Sequence, residues 1–338
     1  MAYPVPAFHE IFGIESTLPL QLALFIIFSI ILIKAASLAV KHVVNLAKIF
    51  RISQFVSSFL IAGFVSILPE FFVGVNSAIG GVPHVGIGTL IGNNIVDLPL
   101  VIGIVAILGK TIPAQRTNKV SSPGFLVAIS LPLGLMLDGN LSRIDGALLL
   151  ITAAIYFTWM LYNQPLREKT KKLVSIKEML PDFIQFGIMV VLMFVSSHFV
   201  VTSGVAVADL IGFPEILAGL ILISIGAALP ELTFSVQALM ARHKSIALGD
   251  ILGNVVLDST FSIGAMALIV PFDIQLGVIG IAAVFMVFSA LMLTTFLDSE
   301  HQLTRRDGIA LIGLYVVFVV VQLTLNTAIN PLEAIPHP

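Results

Sequence analysis

The sequence predicts an all-α polytopic membrane protein: ten transmembrane helices in two inverted five-helix repeats, with both termini outside. Three observations lead there. The composition suits a bilayer. The apolar residues fall into ten membrane-length stretches. Residues of the same kind recur at one fixed separation, 161 positions, in two different stretches of each half.

The chain has 338 residues, of which 58% are hydrophobic and 11% charged, against roughly 25% charged in a soluble domain. Mean hydropathy is +1.07. Cysteine is absent, which excludes a disulfide framework and a thiolate metal site. The formal net charge of −2 argues neither for nor against nucleic acid. The first seventeen residues hold no Lys or Arg, so they lack the basic start of a secretory signal. Membrane insertion is expected from the internal spans.

A spanning helix needs about 20 mostly apolar residues. Such stretches run over approximately 18–44, 53–78, 85–109, 122–138, 143–162, 182–210, 214–240, 246–271, 275–297 and 307–328. The fourth is the weakest, being short and interrupted by Pro123, Pro132 and Gly134. The one long polar connection, Asn163 to Asp182, divides the chain into a first repeat (1–162), a basic cytoplasmic linker (163–182) and a second repeat (183–338). Lys and Arg then set the orientation. Fifteen of the 17 lie around the odd-numbered connections, and only Arg143 lies on the opposite side. Lys34, inside the first span, can snorkel to its basic end. Odd-numbered connections are therefore cytoplasmic. Five spans per half is an odd number, so two related halves must insert with opposite orientation. That is the plan of many secondary transporters, with the site at the midplane where the halves meet.

The repetition is visible in the residues. Leu68-Pro69-Glu70 stands in FLIAGFVSILPEFFVGV, and Leu229-Pro230-Glu231 in LILISIGAALPELTFSV. Gly92, Asn93, Asp97 and Gly103 of the third span return as Gly253, Asn254, Asp258 and Gly264 of the eighth. With Pro69 and Glu70, these four make six identities at one offset, which indicate duplication.

Glu70, Asp97, Glu231 and Asp258 are carboxylates within apolar spans. Each would cost a few kcal/mol or more facing lipid, so they must face protein, water or a cation. Pairing with Lys or Arg fails, because the spans that hold them have no basic residue near their middle. Pro69 lacks an N–H and its ring clashes with the Val65 carbonyl; Pro230 does the same to Gly226. Gly63 and Gly226 loosen the helices further. Broken helices expose carbonyl oxygens, which a membrane tolerates only where they line a cavity or bind an ion. Asn93 with Asp97, and Asn254 with Asp258, stand four apart and share a helix face. Gly92 and Gly253 let another helix approach. Ser66 lies one turn before Glu70. Four carboxylates, two amides and a hydroxyl are hard oxygen donors, which suit Ca2+ with its 6–8 oxygen ligands better than softer metals. One Ca2+ offsets only two of four negative charges. Protons or several monovalent cations must therefore neutralise the site when Ca2+ leaves, and such competition is what an exchanger needs.

Other polar residues read as structural. His198 among Ser196, Ser197 and Thr202 reads as a packed histidine, Asp250 as a helix N-terminal acid, and His84 and His301 as loop residues. The linker reads as a lipid-facing basic loop with no EF-hand pattern.

At these motifs the chain resembles the cation/Ca2+ exchanger superfamily, most closely the prokaryotic sodium/calcium exchangers. VSILPEF with IGNNIVD matches the family's first α-repeat (about 53–109), and GAALPEL with LGNVVLD the second (about 214–271). The resemblance implies a transporter, not an enzyme, that moves Ca2+ in exchange for Na+ or H+ by alternating access. It implies Glu70 and Glu231 as central Ca2+ ligands. Asp97, Asp258, Asn93 and Asn254 fall at secondary positions, and the carbonyls of Gly63 and Ser224 are further ligands. It also implies that the first and sixth spans slide past the site-bearing bundle. Family members usually carry Thr-Ser or Asn-Ser before Leu-Pro-Glu; here those positions are Ser66-Ile67 and Ala227-Ala228. Sodium members often have Asn at one of the positions filled here by Asp97 and Asp258. Fewer hydroxyls and more acids favour H+; the family favours Na+. The expected partners are inorganic cations and the lipid bilayer of a prokaryotic plasma membrane, with no nucleic acid and no resident cofactor. An intramembrane carboxylate enzyme and a cation channel are the competing classes.

Overall fold

The computed structural model of the chain describes residues 17–47, 63–113, 123–162, 176–213, 215–240, 244–274, 276–300 and 302–333. Residues 53–62 of the expected second span lie outside this set. So do Lys48, Arg51, Arg116, Lys119, Arg167, Lys169, Lys171, Lys172, Arg242 and His301.

The described chain is almost entirely helical. The helical stretches are α1 (Leu18–Ala47), α2 (63–79), α3 (Pro83–Gly109), α4 (Pro123–Leu135), α5 (Arg143–Tyr162), α6 (Ile176–Ile211), α7 (215–240), α8 (244–269), α9 (Leu276–Glu300) and α10 (Arg305–Glu333). Seven of these, α1, α3 and α6 to α10, are long and apolar enough to cross a membrane. The fourth expected span forms a shorter apolar helix, with Pro132 buried inside it. The linker reading is corrected in one respect: α6 begins at Ile176, inside the expected loop. The run Ile176 to Leu180 is made of good helix formers, and its Lys and Glu hide it from a hydropathy reading.

Two pairs of short strands clamp opposite ends of the helices. β1 (Thr111–Pro113) pairs antiparallel with β4 (Gln302–Thr304), and β2 (Asn140–Leu141) with β3 (Phe272–Asp273). α4 and α9 each run from one pair to the other, so the pairs lie at opposite ends. β1 and β3 are 161 positions apart in sequence. Helix starts repeat as well. Ser142 N–H and Oγ–H donate to Asp145 Oδ2 (2.8 and 2.6 Å), and Thr304 N–H and Oγ1–H donate to Asp307 Oδ2 (both 2.8 Å). Both are capping boxes, which satisfy otherwise orphaned donors at the first turns of α5 and α10.

The centre of the molecule is α3 and α8, buried over 83% of their most apolar stretches, against 28% for α1, α6 and α10. Backbone contact makes this centre dense. A Cβ at Gly92 would lie 2.3 Å from the Leu220 carbonyl oxygen, and one at Gly219 would lie 2.3 Å from that of Val85. α3 and α7 therefore cross with nothing between their backbones. α1 and α6 form a separate layer. They pack on each other and, with Leu68, Val73, Val85 and Ile223, share an apolar cluster distinct from the main core. His42 Nδ1 and Asp182 Oδ1, 2.7 Å apart, join their ends.

Candidate cation-binding site

The irregular backbone sits where the sequence places the acids. α2 breaks at Ile67 and α7 at Ala228, each two residues before its proline. Among the described residues three segments are wound as π-helix: Val96–Val101, Ala218–Ile223 and Asp258–Ser262. The first and third are matched positions of the two halves, and each carries its aspartate at or near its start. A π-turn widens the helix by one residue and frees local carbonyls, and such turns concentrate at functional sites.

Glu70, Asp97, Glu231 and Asp258 are all buried, none more than 1% exposed. They come together from four helices. They are close enough that, when ionised, Glu70 would be repelled by Asp258 and Asp97, Glu231 by Glu70 and Asp97, and Asp97 by Asp258. Among the side chains whose burial is described, no Lys or Arg is buried. Among the described residues, both carboxylate oxygens of Glu70 and of Glu231, and Oδ1 of Asp97, have no hydrogen-bond partner. No three His, Asp or Glu side chains among the described residues close into a metal cluster. The acids thus meet electrostatically, with the glutamate oxygens bare.

The amides divide the work unequally. Asn93 Nδ2 donates to Asp258 Oδ2 (3.1 Å) and to Asp97 Oδ2 (3.3 Å), so one amide links the aspartates of both halves. Asn254 instead accepts from Ser66 Oγ–H at 2.9 Å. Ser262 Oγ–H donates to Asp258 Oδ1 at 3.1 Å, and Asn94 Nδ2 donates to Ser259 Oγ at 3.0 Å. Ser224 is buried; its hydroxyl donates to the Leu220 carbonyl (2.6 Å), and its own carbonyl accepts the Ala228 N–H (3.0 Å). Gly63, its counterpart 161 positions earlier, opens α2. Phe71, next to Glu70, stacks on Phe261, next to the Asp258 turn, with ring centroids 5.5 Å apart. A narrow cavity of about 10 Å³ lies at the two helix breaks, between Pro69, Gly226 and Ala227 and the Ser29, Leu32 and Ile33 side of α1.

Two readings from sequence are corrected. Asp250 is not a helix N-terminal acid. α8 starts at Lys244, so Asp250 lies beyond the first turn, 3% exposed, where it repels Asp97 and Glu231. His84 is in the first turn of α3, not in a loop. His198 is half-buried, with its ring edge-on to Phe199. Asp250, Ser262 and Ser235, with the bonded pair Asn94 and Ser259, are polar residues near the site that sequence reading missed. The i, i+4 spacing of Asp250 to Asn254 and of Ser235 to Glu231 is the signal that could have found two of them.

The family model of the sodium/calcium exchanger protein matches residues 20–162 and again 182–324. The chain belongs to this family. It is an integral membrane protein, 26% identical over 266 residues to the inner membrane protein YrbG of Escherichia coli, covering 76% of this chain and 82% of that one. Its fold is similar to the solved sodium-calcium exchanger NCX_Mj, with TM-score 0.67 and 22% identity over 90% of this chain and 99% of that chain. It is also similar to the H+/Ca2+ exchanger CAX, with TM-score 0.73 and 14% identity over 91% and 88%.

Proposed function

We propose that the protein is a secondary antiporter that moves Ca2+ across the membrane in exchange for monovalent cations, by alternating access. The observation that carries this reading is the set of four buried carboxylates, two per half, whose glutamate oxygens have no hydrogen-bond partner and no buried basic side chain beside them among the described residues. Such a charge in a membrane needs cations, and hard oxygen donors in number favour Ca2+. Glu70 and Glu231 are the proposed central ligands. Asp97, Asp258, Asn93, Asn254, Ser66 and the carbonyls of Gly63 and Ser224 complete the set. Ten spans in two inverted halves, with both termini outside, form the proposed frame; matched strands at opposite ends of the helices support it. The separate α1–α6 layer, tied by His42 and Asp182, is the proposed moving body.

Na+ is the proposed counter-ion, on the resemblance to sodium/calcium exchangers. H+ is the second reading, favoured by acids at both 97 and 258 and by apolar Ala227 and Ala228 at the break of α7. The test is Ca2+ uptake into vesicles holding the purified protein, under imposed Na+, K+ or pH gradients applied singly. Uptake driven by one gradient is expected. Flux that persists without any counter-ion gradient at channel-like rates would turn the reading to a channel, and no Ca2+ flux under any gradient would end it.

A further inference from the structure

A fifth buried acid has no place in the site as described so far. Asp250 lies on α8 one turn before Asn254 and two before Asp258, on the same stripe of the helix, and it repels both Glu231 and Asp97. It is therefore continuous with the central acids but displaced toward the start of α8. α7 packs against α8 just across the 241–243 connection, so the two run antiparallel. One turn past Glu231 on α7 is Ser235, fully buried, and its Oγ has no hydrogen-bond partner among the described residues. That is unusual for this protein. The buried hydroxyls of Ser77, Thr89, Ser224 and Thr260 all donate to the carbonyl one turn earlier, at 2.6–2.8 Å. An unmet hydroxyl in an apolar interior costs about 1–3 kcal/mol. Across a hairpin closed at 241–243, Ser235 on α7 stands level with Asp250 on α8, and Glu231 level with Asn254. A turn forward on α7 and a turn back on α8 therefore lead the same way, to Ser235 and Asp250.

We infer that Asp250 and Ser235 form a second cation station, for a monovalent cation, on the α7–α8 side of the central site. One carboxylate and one hydroxyl supply few oxygens, short of the 6–8 that Ca2+ takes, and a single negative charge that matches one monovalent cation. The first half has no such station: the matched positions are Thr89, whose hydroxyl is spent on the Val85 carbonyl, and Gly74. The station therefore belongs to one end of the pathway only. It rests on the exchanger reading above, because it needs a central site to feed.

The experiment uses the full chain in proteoliposomes and compares two fluxes, Ca2+–Ca2+ exchange, which needs no counter-ion, and gradient-driven Ca2+ uptake. Asp250→Asn is expected to raise the half-saturating counter-ion concentration about tenfold, and Ser235→Ala about threefold, with Ca2+–Ca2+ exchange falling less than about threefold. Asp250→Glu should restore part of the loss. A shift in Na+ dependence identifies the ion as Na+, and a shift in pH dependence alone identifies it as a proton. An unchanged counter-ion dependence in both variants overturns the station. So does an equal fall in the two fluxes, the mark of a structural role or a Ca2+ ligand. A wild-type protein that carries no Ca2+ in either mode overturns the exchanger reading itself, and this inference with it.

Discussion

The two halves share a backbone plan but not a chemistry. In the first, Asp97 is followed by Leu98, Pro99, Leu100 and Val101; in the second, Asp258 is followed by Ser259, Thr260, Phe261 and Ser262. Both stretches wind as π-helix, so the geometry does not depend on those side chains. What differs is the support given to the acids. Asp258 accepts from Ser262 and from Asn93, while Asp97 has only its share of Asn93. Asp250 and Ser235 in the second half stand opposite Thr89 and Gly74 in the first. In return, the first half holds Ser66 and Asn94 where the second has Ala227 and Val255. A duplicated frame can fix where ligands stand while each half adjusts its own polarity. That gives a site symmetric in position and asymmetric in charge.

The largest expected effect tests the symmetric part. Glu70→Gln and Glu231→Gln should each lower Ca2+ flux at least ~100-fold, the loss that follows from removing one charge of a buried constellation. The protein should still fold, as judged by its elution as a single species. Normal flux in either variant would mean that the bare glutamates do not form one site. Next come the helix crossings that the halves share. A Cβ at Gly103 would lie 2.9 Å from the Gly308 carbonyl oxygen, and one at Gly264 would lie 2.9 Å from that of Gly146. Gly103→Ala and Gly264→Ala should therefore lose similar stability, about 1–3 kcal/mol each, in thermal unfolding in detergent. A cost confined to one of them would break the structural equivalence of the α3–α10 and α5–α8 contacts.

How much of this was legible depends on the physics behind each feature. Apolar spans were legible because backbone in lipid must be helical, and the acids because nothing but function keeps them there. The breaks at Ile67 and Ala228 were legible from Pro69 and Pro230. The capping boxes at Ser142 and Thr304 escaped, although their pattern is local, because they repeat at 162 positions and not 161. Asp250 was misread because hydropathy falls off at Lys244 and Ser245, which puts the acid at the edge of an apolar run. The helix itself continues through those residues, and packing on α7 buries it. The division of labour between Asn93 and Asn254 left no trace in sequence, since identical residues at identical spacing acquire different partners only through packing.

That division gives the third prediction. Asn93→Ala removes the amide donor shared by two carboxylates, and Asn254→Ala removes an acceptor for one hydroxyl. Hydrogen bonds to charged groups contribute about 1.5–3 kcal/mol and neutral ones about 0.5–1.5. Ca2+ transport should therefore fall about tenfold or more for Asn93→Ala and about threefold for Asn254→Ala. Equal losses would show that the amides are equivalent during turnover, whatever their resting partners.

The smallest expected effect comes from restoring the missing hydroxyl. Ser66 Oγ–H reaches Asn254 Oδ1, and the matched pair in the other direction is Ala227 and Asn93. Oδ1 of Asn93 has no partner among the described residues, and Ala227 borders the narrow cavity at the helix breaks, which leaves about 10 Å³ for an added oxygen. Ala227→Ser should let its hydroxyl donate to Asn93 Oδ1 while the Asn93 N–H stays on the aspartates. An interhelical bond of this kind in a membrane contributes about 0.6 kcal/mol and at most about 2, so a gain of up to ~1 kcal/mol in thermal stability is expected, with Ser66→Ala losing as much. The counter-ion should respond more than the stability. A hydroxyl at 227 adds a neutral oxygen at the break of α7, so uptake should become more sensitive to Na+ and less to pH. A variant destabilised by more than ~1 kcal/mol would show that the halves are not related closely enough at their breaks for one to lend its chemistry to the other.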